Sequence, residues 1–189
     1  MKNINLNELR DRAYNTACEH GFHDKELSNE HLLCLVISEL MEAVEADRKG
    51  RLGKKCKSRF EMEYNRYPAL VEEEKRFKCS FEKHIKDSLP DELSDAVIRL
   101  LDLCGMCKID LENDCLDNEV LEDYSSIFIG KTFTESIFNI TKNLIDRDVV
   151  LSLIKIFGLA KHLDVDLLWH IEQKIRYNEL RPMLNGKKY

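Results

Sequence analysis

The stretch from 30 to 48, EHLLCLVISELMEAVEADR, constrains the fold more than any other part of the chain. On a helical wheel at about 100° per residue, Leu32, Leu33, Val36, Leu40, Ala43 and Val44 share one broad apolar arc, the pattern of a helix seated in a core. Glu39 interrupts it. Leu32, Leu35, Ala43 and Ala46 fall within roughly 40° of Glu39 on the same wheel, so a carboxylate points where the helix is oily. Glu42 follows one turn on. An unpaired buried carboxylate is costly or takes up a proton, so Glu39 requires a cation, a strong donor or water in a cleft.

The rest of the chain reads as helical too. Seven glycines and three prolines in 189 residues, with no alternating β-branched runs bounded by turns, predict an all-α fold: an antiparallel helical bundle forming a single domain over 1–189. No apolar run approaches the roughly 20 residues of a membrane span, and the N-terminal stretch lacks the apolar region of a signal peptide. Seven scattered cysteines suggest reduced thiols and a cytoplasmic setting. Cys104 and Cys107 form a lone CxxC without the second pair that zinc requires, which favours core packing.

A helix is expected from 6 to 20, ended by Gly21, and Ser28 is placed to cap the acidic helix. Residues 49 to 88 then change character. They carry twelve Lys and Arg against seven Asp and Glu, a charge of +5 within a chain of net charge -6. Pro68 divides two short helical patterns there, as expected of an insertion or cap. Its basic residues are either a solvated surface or a lid that meets phosphates, with Lys54, Lys55 and Arg59 as candidates. A third strong helix spans 88 to 106, where Ser88 and Asp91 imitate a capping box. Glu92 and Asp95 lie one turn apart beside its apolar stripe.

Residues 112 to 129 read as an acidic connection, followed by helices at 132–144, 148–162 and 165–180. The segment near 96–111 resembles the segment near 150–167. Either two related helical units exist, of which only the first kept its acids, or two Leu-rich helices share a period. On the last helix Lys174, Asn178 and Arg181 share a face with His170. Trp169 fits a core or interface anchor better than a base-stacking platform.

Two antiparallel helices, each with carboxylates one turn apart, can converge Glu39, Glu42, Glu92 and Asp95 on one point. Such an all-oxygen set suits Mg²⁺ or Mn²⁺. The net negative charge argues against general nucleic-acid binding.

The stretches GFHDKELSNEHLLCLVISELMEAVEADRKG, DELSDAVIRLLDL and WHIEQKIRYNELRP, followed by NGKKY, resemble the MazG-like all-α nucleoside triphosphate pyrophosphohydrolases. The resemblance covers neither the insertion nor 110–130, and the gap from Glu42 to Glu92 is longer than the family's. It implies that Glu39, Glu42, Glu92 and Asp95 bind Mg²⁺, and that Lys174, Asn178 and Arg181 contact the substrate's phosphates and sugar. It also implies a homodimer or higher homo-oligomer. The expected activity is hydrolysis of a nucleoside or deoxynucleoside triphosphate to the monophosphate and pyrophosphate, with Glu39 or Glu42 as the catalytic base. The residues also admit a non-enzymatic helical interaction module, or the same site acting on a diphosphate or phosphoribosyl-linked nucleotide.

Overall fold

A computed structural model of the chain describes residues 5–111 and 116–186. The described residues form nine α-helices and no strand, packed as a helical bundle: α1 (Leu6–Glu19), α2 (Asn29–Arg48), α3 (Cys56–Arg66), α4 (Glu73–His84), α5 (Leu89–Met106), α6 (Asn118–Ser126), α7 (Phe133–Ile145), α8 (Val149–His162) and α9 (Leu167–Glu179). A short 3-10 turn at Met183–Gly186 follows. The last three residues of the NGKKY stretch lie outside the described residues, as do 112–115. None of the described helices is long and apolar enough to cross a membrane.

The centre of the bundle is α5, which packs against α1, α2, α8 and α9. Twelve of its 18 residues are buried, because its apolar stripe of Leu93, Ala96, Val97, Leu100, Leu101 and Cys104 is flanked by covered polar positions. Against it α2 lays Leu33, Val36, Leu40, Ala43 and Ala46, and Glu39 is buried among them. The Ser28 hydroxyl accepts from the His31 N–H, starting α2 where its sequence suggests. The expected capping box at α5 does not form. Ser88 makes no side-chain cap bond, and the Asp91 carboxylate accepts from the Asp87 N–H at 3.0 Å, outside the helix.

The insertion folds as α3 and α4 around its own small core of Cys56, Phe60, Phe77, Phe81 and Ile85, joined by Tyr177 of α9. Trp169 meets Phe60 edge-on at 5.7 Å and carries Lys57 over its ring, so it anchors the insertion.

One expectation fails in the second half. The segment read as an irregular connection contains α6, capped by Asp117 accepting from the Val120 N–H. Its acids face solvent while Leu121 packs on the core. There α6 rests on α8 as α1 rests on α5. A methyl group added at Gly105 would lie 2.6 Å from Tyr14 Cβ, and one at Gly158 would lie 2.7 Å from Tyr124 Cβ. Thus α1, α2 and α5 are matched in order and contacts by α6, α7 and α8.

Candidate metal centre

Two helices build the acidic cluster. Glu39 comes from the middle of α2, and Glu92 and Asp95 come from the first turns of α5. One oxygen from each lies within 4.8 Å of the others. Glu39 is 3% exposed and Glu92 5%, while Asp95 is half-buried. Glu42, expected as a fourth member, is exposed and outside this group. Three residues along a helix advance about 300°, so Glu42 sits about 60° off the direction of Glu39, toward the rim. It still acts on the cluster, because its charge raises the pKa of both Glu39 and Glu92.

Basic partners offset part of this charge. Arg99 Nε donates to Glu39 Oε1 at 2.6 Å. Lys174 Nζ, on α9, reaches Asp95 Oδ2 at 2.7 Å and Asp91 Oδ2 at 3.0 Å. Lys174 is only 5% exposed, so it lies beneath the carboxylates and does not present an open positive face. Burial alone would lower its ammonium pKa, but Asp95 and Asp91 outweigh burial and hold it above the ordinary lysine value. Asp91, 1% exposed, belongs to this network although its sequence position suggested a cap.

Glu92 is the carboxylate left over. It forms no ion pair among the described residues, and burial, followed by the charges of Asp91 and Asp95, pushes its pKa to about 8. Burial and then Asp95 also raise Glu39. Burial raises Asp91 to about 6 despite Lys174. Glu92 is therefore charged at neutral pH only with more positive charge nearby. Three carboxylates fixed on two packed helices, with oxygens left over by Arg99 and Lys174, fit a hard divalent cation that retains part of its water shell.

A pH dependence follows. The folded-state pKa of Glu92 lies above its ordinary 4.5, so its contribution to stability is full below about 4.5 and is lost as pH rises through about 8. His170, lowered by burial to about 4, has the opposite slope, but its effect is complete above its ordinary 6.5. Between about pH 6.5 and 8.5 the melting temperature in EDTA should therefore fall, and the rise produced by Mg²⁺ should grow. Scanning fluorimetry with and without Mg²⁺ measures both. A Mg²⁺ effect that shrinks with rising pH contradicts the site.

Beside the cluster runs a cavity of about 90 Å³, lined by Glu39, Asp95 and Arg99 together with Phe22, Leu32, Leu35 and Ile98. Asn178 and Arg181 line it too, so two of the expected substrate contacts share the cleft with the acids. Asn178 Oδ1 is buried without a hydrogen-bond partner among the described residues. His23, which the sequence did not single out, hydrogen-bonds Asp102 through Nε2 at 2.7 Å in the same cleft. That bond raises the His23 pKa. Glu42 and Glu92 line another cavity, of about 290 Å³, with Lys49 and Arg51. Lys54, Lys55 and Arg59 line neither; they surround a separate cavity of about 630 Å³ in the insertion.

The second helical unit provides an internal comparison. Where α2 and α5 juxtapose Glu39 and Arg99, α7 and α8 juxtapose amides with a lysine: Lys155 Nζ donates to Asn139 Oδ1 at 2.8 Å and Asn143 Oδ1 at 2.6 Å. A helix pair of this kind packs without buried acids. The CxxC offers no alternative centre, since Cys104 is buried, with its thiol pushed by burial to about 12, and Cys107 is exposed. Among the described residues the carboxylate triad is the one cluster of three or more such ligands. Family models, curated proteins and solved structures yield no match to this chain.

Proposed function

We propose that the protein is a Mg²⁺-dependent pyrophosphohydrolase that splits a nucleoside or deoxynucleoside triphosphate into its monophosphate and pyrophosphate, as its resemblance to the MazG-like enzymes implies. The observation that carries the reading is the triad of Glu39, Glu92 and Asp95, short of positive charge, with Glu39 and Asp95 opening on a partly apolar cleft. Mn²⁺ suits the same oxygens. Bound metal neutralises phosphate charge and lowers the pKa of water.

The chain's own groups divide the remaining tasks. Glu39, Glu92 and Asp95 would hold the metal, and Lys174 and Arg99 orient Asp95 and Glu39 through their ion pairs. The apolar wall of Leu32, Leu35 and Ile98 accepts the nucleoside while Asn178 and Arg181 bind its polar edge. Glu42, exposed at the rim and free of ion pairs among the described residues, takes the proton of the attacking water. Water attacks the α phosphorus, the bond to the bridging oxygen breaks, and pyrophosphate leaves with that oxygen. A homodimer and a cytoplasmic location belong to the same proposal. All three carboxylates of the triad nevertheless come from one chain.

The bond broken is the test. In ¹⁸O-labelled water the label should enter the nucleoside monophosphate and not pyrophosphate. Label in pyrophosphate moves the attack to the β phosphorus, and release of orthophosphate with a nucleoside diphosphate overturns the proposal.

A further inference from the structure

The cavity of about 630 Å³ at the insertion lies within the range of roughly 300–1,000 Å³ common for small-molecule sites. Its walls carry Arg51, Lys54, Lys55, Arg59, Lys83 and Lys86. Lys83 is paired with Glu63 at 2.9 Å, and Arg51 stands 3.7 Å from Asp87. Lys54, Lys55, Arg59 and Lys86 have no ion pair among the described residues. Of the two carboxylates in the wall, Glu82 already accepts from the Tyr177 hydroxyl and Asp87 faces Arg51. Cations gathered around a concavity repel one another and concentrate a positive field inside it.

A second observation points to a ligand. Ser88 lines the cavity and is 6% exposed, and among the described residues its Oγ has no partner stronger than a thiol. That thiol, of Cys56, is a weak partner. The start of α5 is not itself the attraction, since the Leu89 N–H donates to the Arg51 carbonyl at 2.9 Å and Pro90 has no N–H. The available donors are therefore the Ser88 hydroxyl and the ring of side-chain cations.

We propose that this cavity binds a condensed phosphate, a pyrophosphate or triphosphate group, through Lys54, Lys55, Arg59 and Lys86, with the Ser88 hydroxyl donating from the floor. Several charged donors around one pocket match an anion that spreads several charges over linked phosphoryl oxygens. A nucleic-acid duplex is too broad for the space. Arg51 and Asp87 line both this cavity and the one containing Glu42 and Glu92, so the site adjoins the acidic centre. It goes beyond the proposed hydrolysis and does not depend on it.

Calorimetric titration of the full chain with inorganic pyrophosphate in EDTA tests the site without metal. Saturable binding of one pyrophosphate per chain is expected, weakened about tenfold or more by Lys55→Ala with Arg59→Ala. The exposed-lysine control Lys142→Ala and the acidic-centre variant Glu92→Gln should leave it unchanged. Absence of binding, equal affinity for sulfate, or an equal loss in either control overturns the proposal. Adding Mg²⁺ and a non-hydrolysable nucleoside triphosphate then separates two sources of the same chemistry. Displacement of pyrophosphate assigns the cavity to the nucleotide's own tail, and simultaneous binding assigns it to free condensed phosphate; either result upholds the site. If no nucleotide is hydrolysed but pyrophosphate binds, the proposed activity fails and the cavity stands.

Discussion

Glu39→Gln and Glu92→Gln should each lower kcat/KM by roughly 10²–10³-fold and remove the rise in melting temperature produced by Mg²⁺. Glutamine keeps the shape of glutamate but not its charge, so the triad loses a ligand while the helices keep their packing. The two variants should differ without metal. Glu92 has no ion pair among the described residues, and burial favours its neutral form, so Glu92→Gln is expected to melt in EDTA at or above the wild-type temperature. Glu39 holds Arg99 at 2.6 Å, and Glu39→Gln forfeits that charged contact. Arg99 is 25% exposed at its side chain and can turn toward water, which keeps the cost small. Turnover assays beside melting curves in EDTA and in Mg²⁺ measure all of this. Wild-type activity with unchanged Mg²⁺ dependence in either variant would falsify the centre.

How much of this was legible in the sequence depends on what kind of contact each residue makes. Glu39 stands out because helical periodicity is local: a carboxylate inside an apolar arc is visible without knowing what the arc packs against. Glu92 and Asp95 gain meaning only when paired with that first signal. Asp91 escaped because a residue in the first turn of a helix has an ordinary capping role, and only the position of α9 reveals Lys174 against it. The face shared by Lys174, Asn178 and Arg181 follows from spacing, but spacing does not say how deep the face is buried. Lys174 ends beneath the acids, while Asn178 and Arg181 line the cleft. Lys54 illustrates the same limit: its basic stretch is plain in the composition, yet the fold of α3 and α4 places it around a different cavity from Glu39. The helix α6 was obscured by acids on its solvent face, which diluted its short apolar contact with α8. The likeness between 96–111 and 150–167 is now more than a shared period, because Gly105 and Gly158 each admit a tyrosine from the helix that begins their unit.

Lys174→Met is the substitution expected to harm stability most, by about 3–5 kcal/mol at pH 8, because it leaves buried carboxylates without their cation. Methionine fills much of the lysine stem's volume, so the loss isolates the ammonium from packing. Asp91 is 1% exposed and the Lys174 charge is what holds its pKa down against burial. Without that charge, Asp91 binds its proton more tightly in the folded chain, and the resulting stability is present at low pH and lost as pH rises. The defect should therefore be smaller at pH 5.5 than at pH 8, and Lys174→Met combined with Asp91→Asn should recover most of it. Urea unfolding of the single and double variants at both pH values decides the matter. A lysine whose only task is to touch substrate would give the opposite pattern, with KM raised and unfolding unchanged at either pH. Because the same ammonium lies 5.7 Å from the ring of Phe81 in α4, its removal also loosens the insertion's attachment to α9. Wild-type stability at pH 8 would mean that Asp91 and Asp95 are compensated by something other than Lys174.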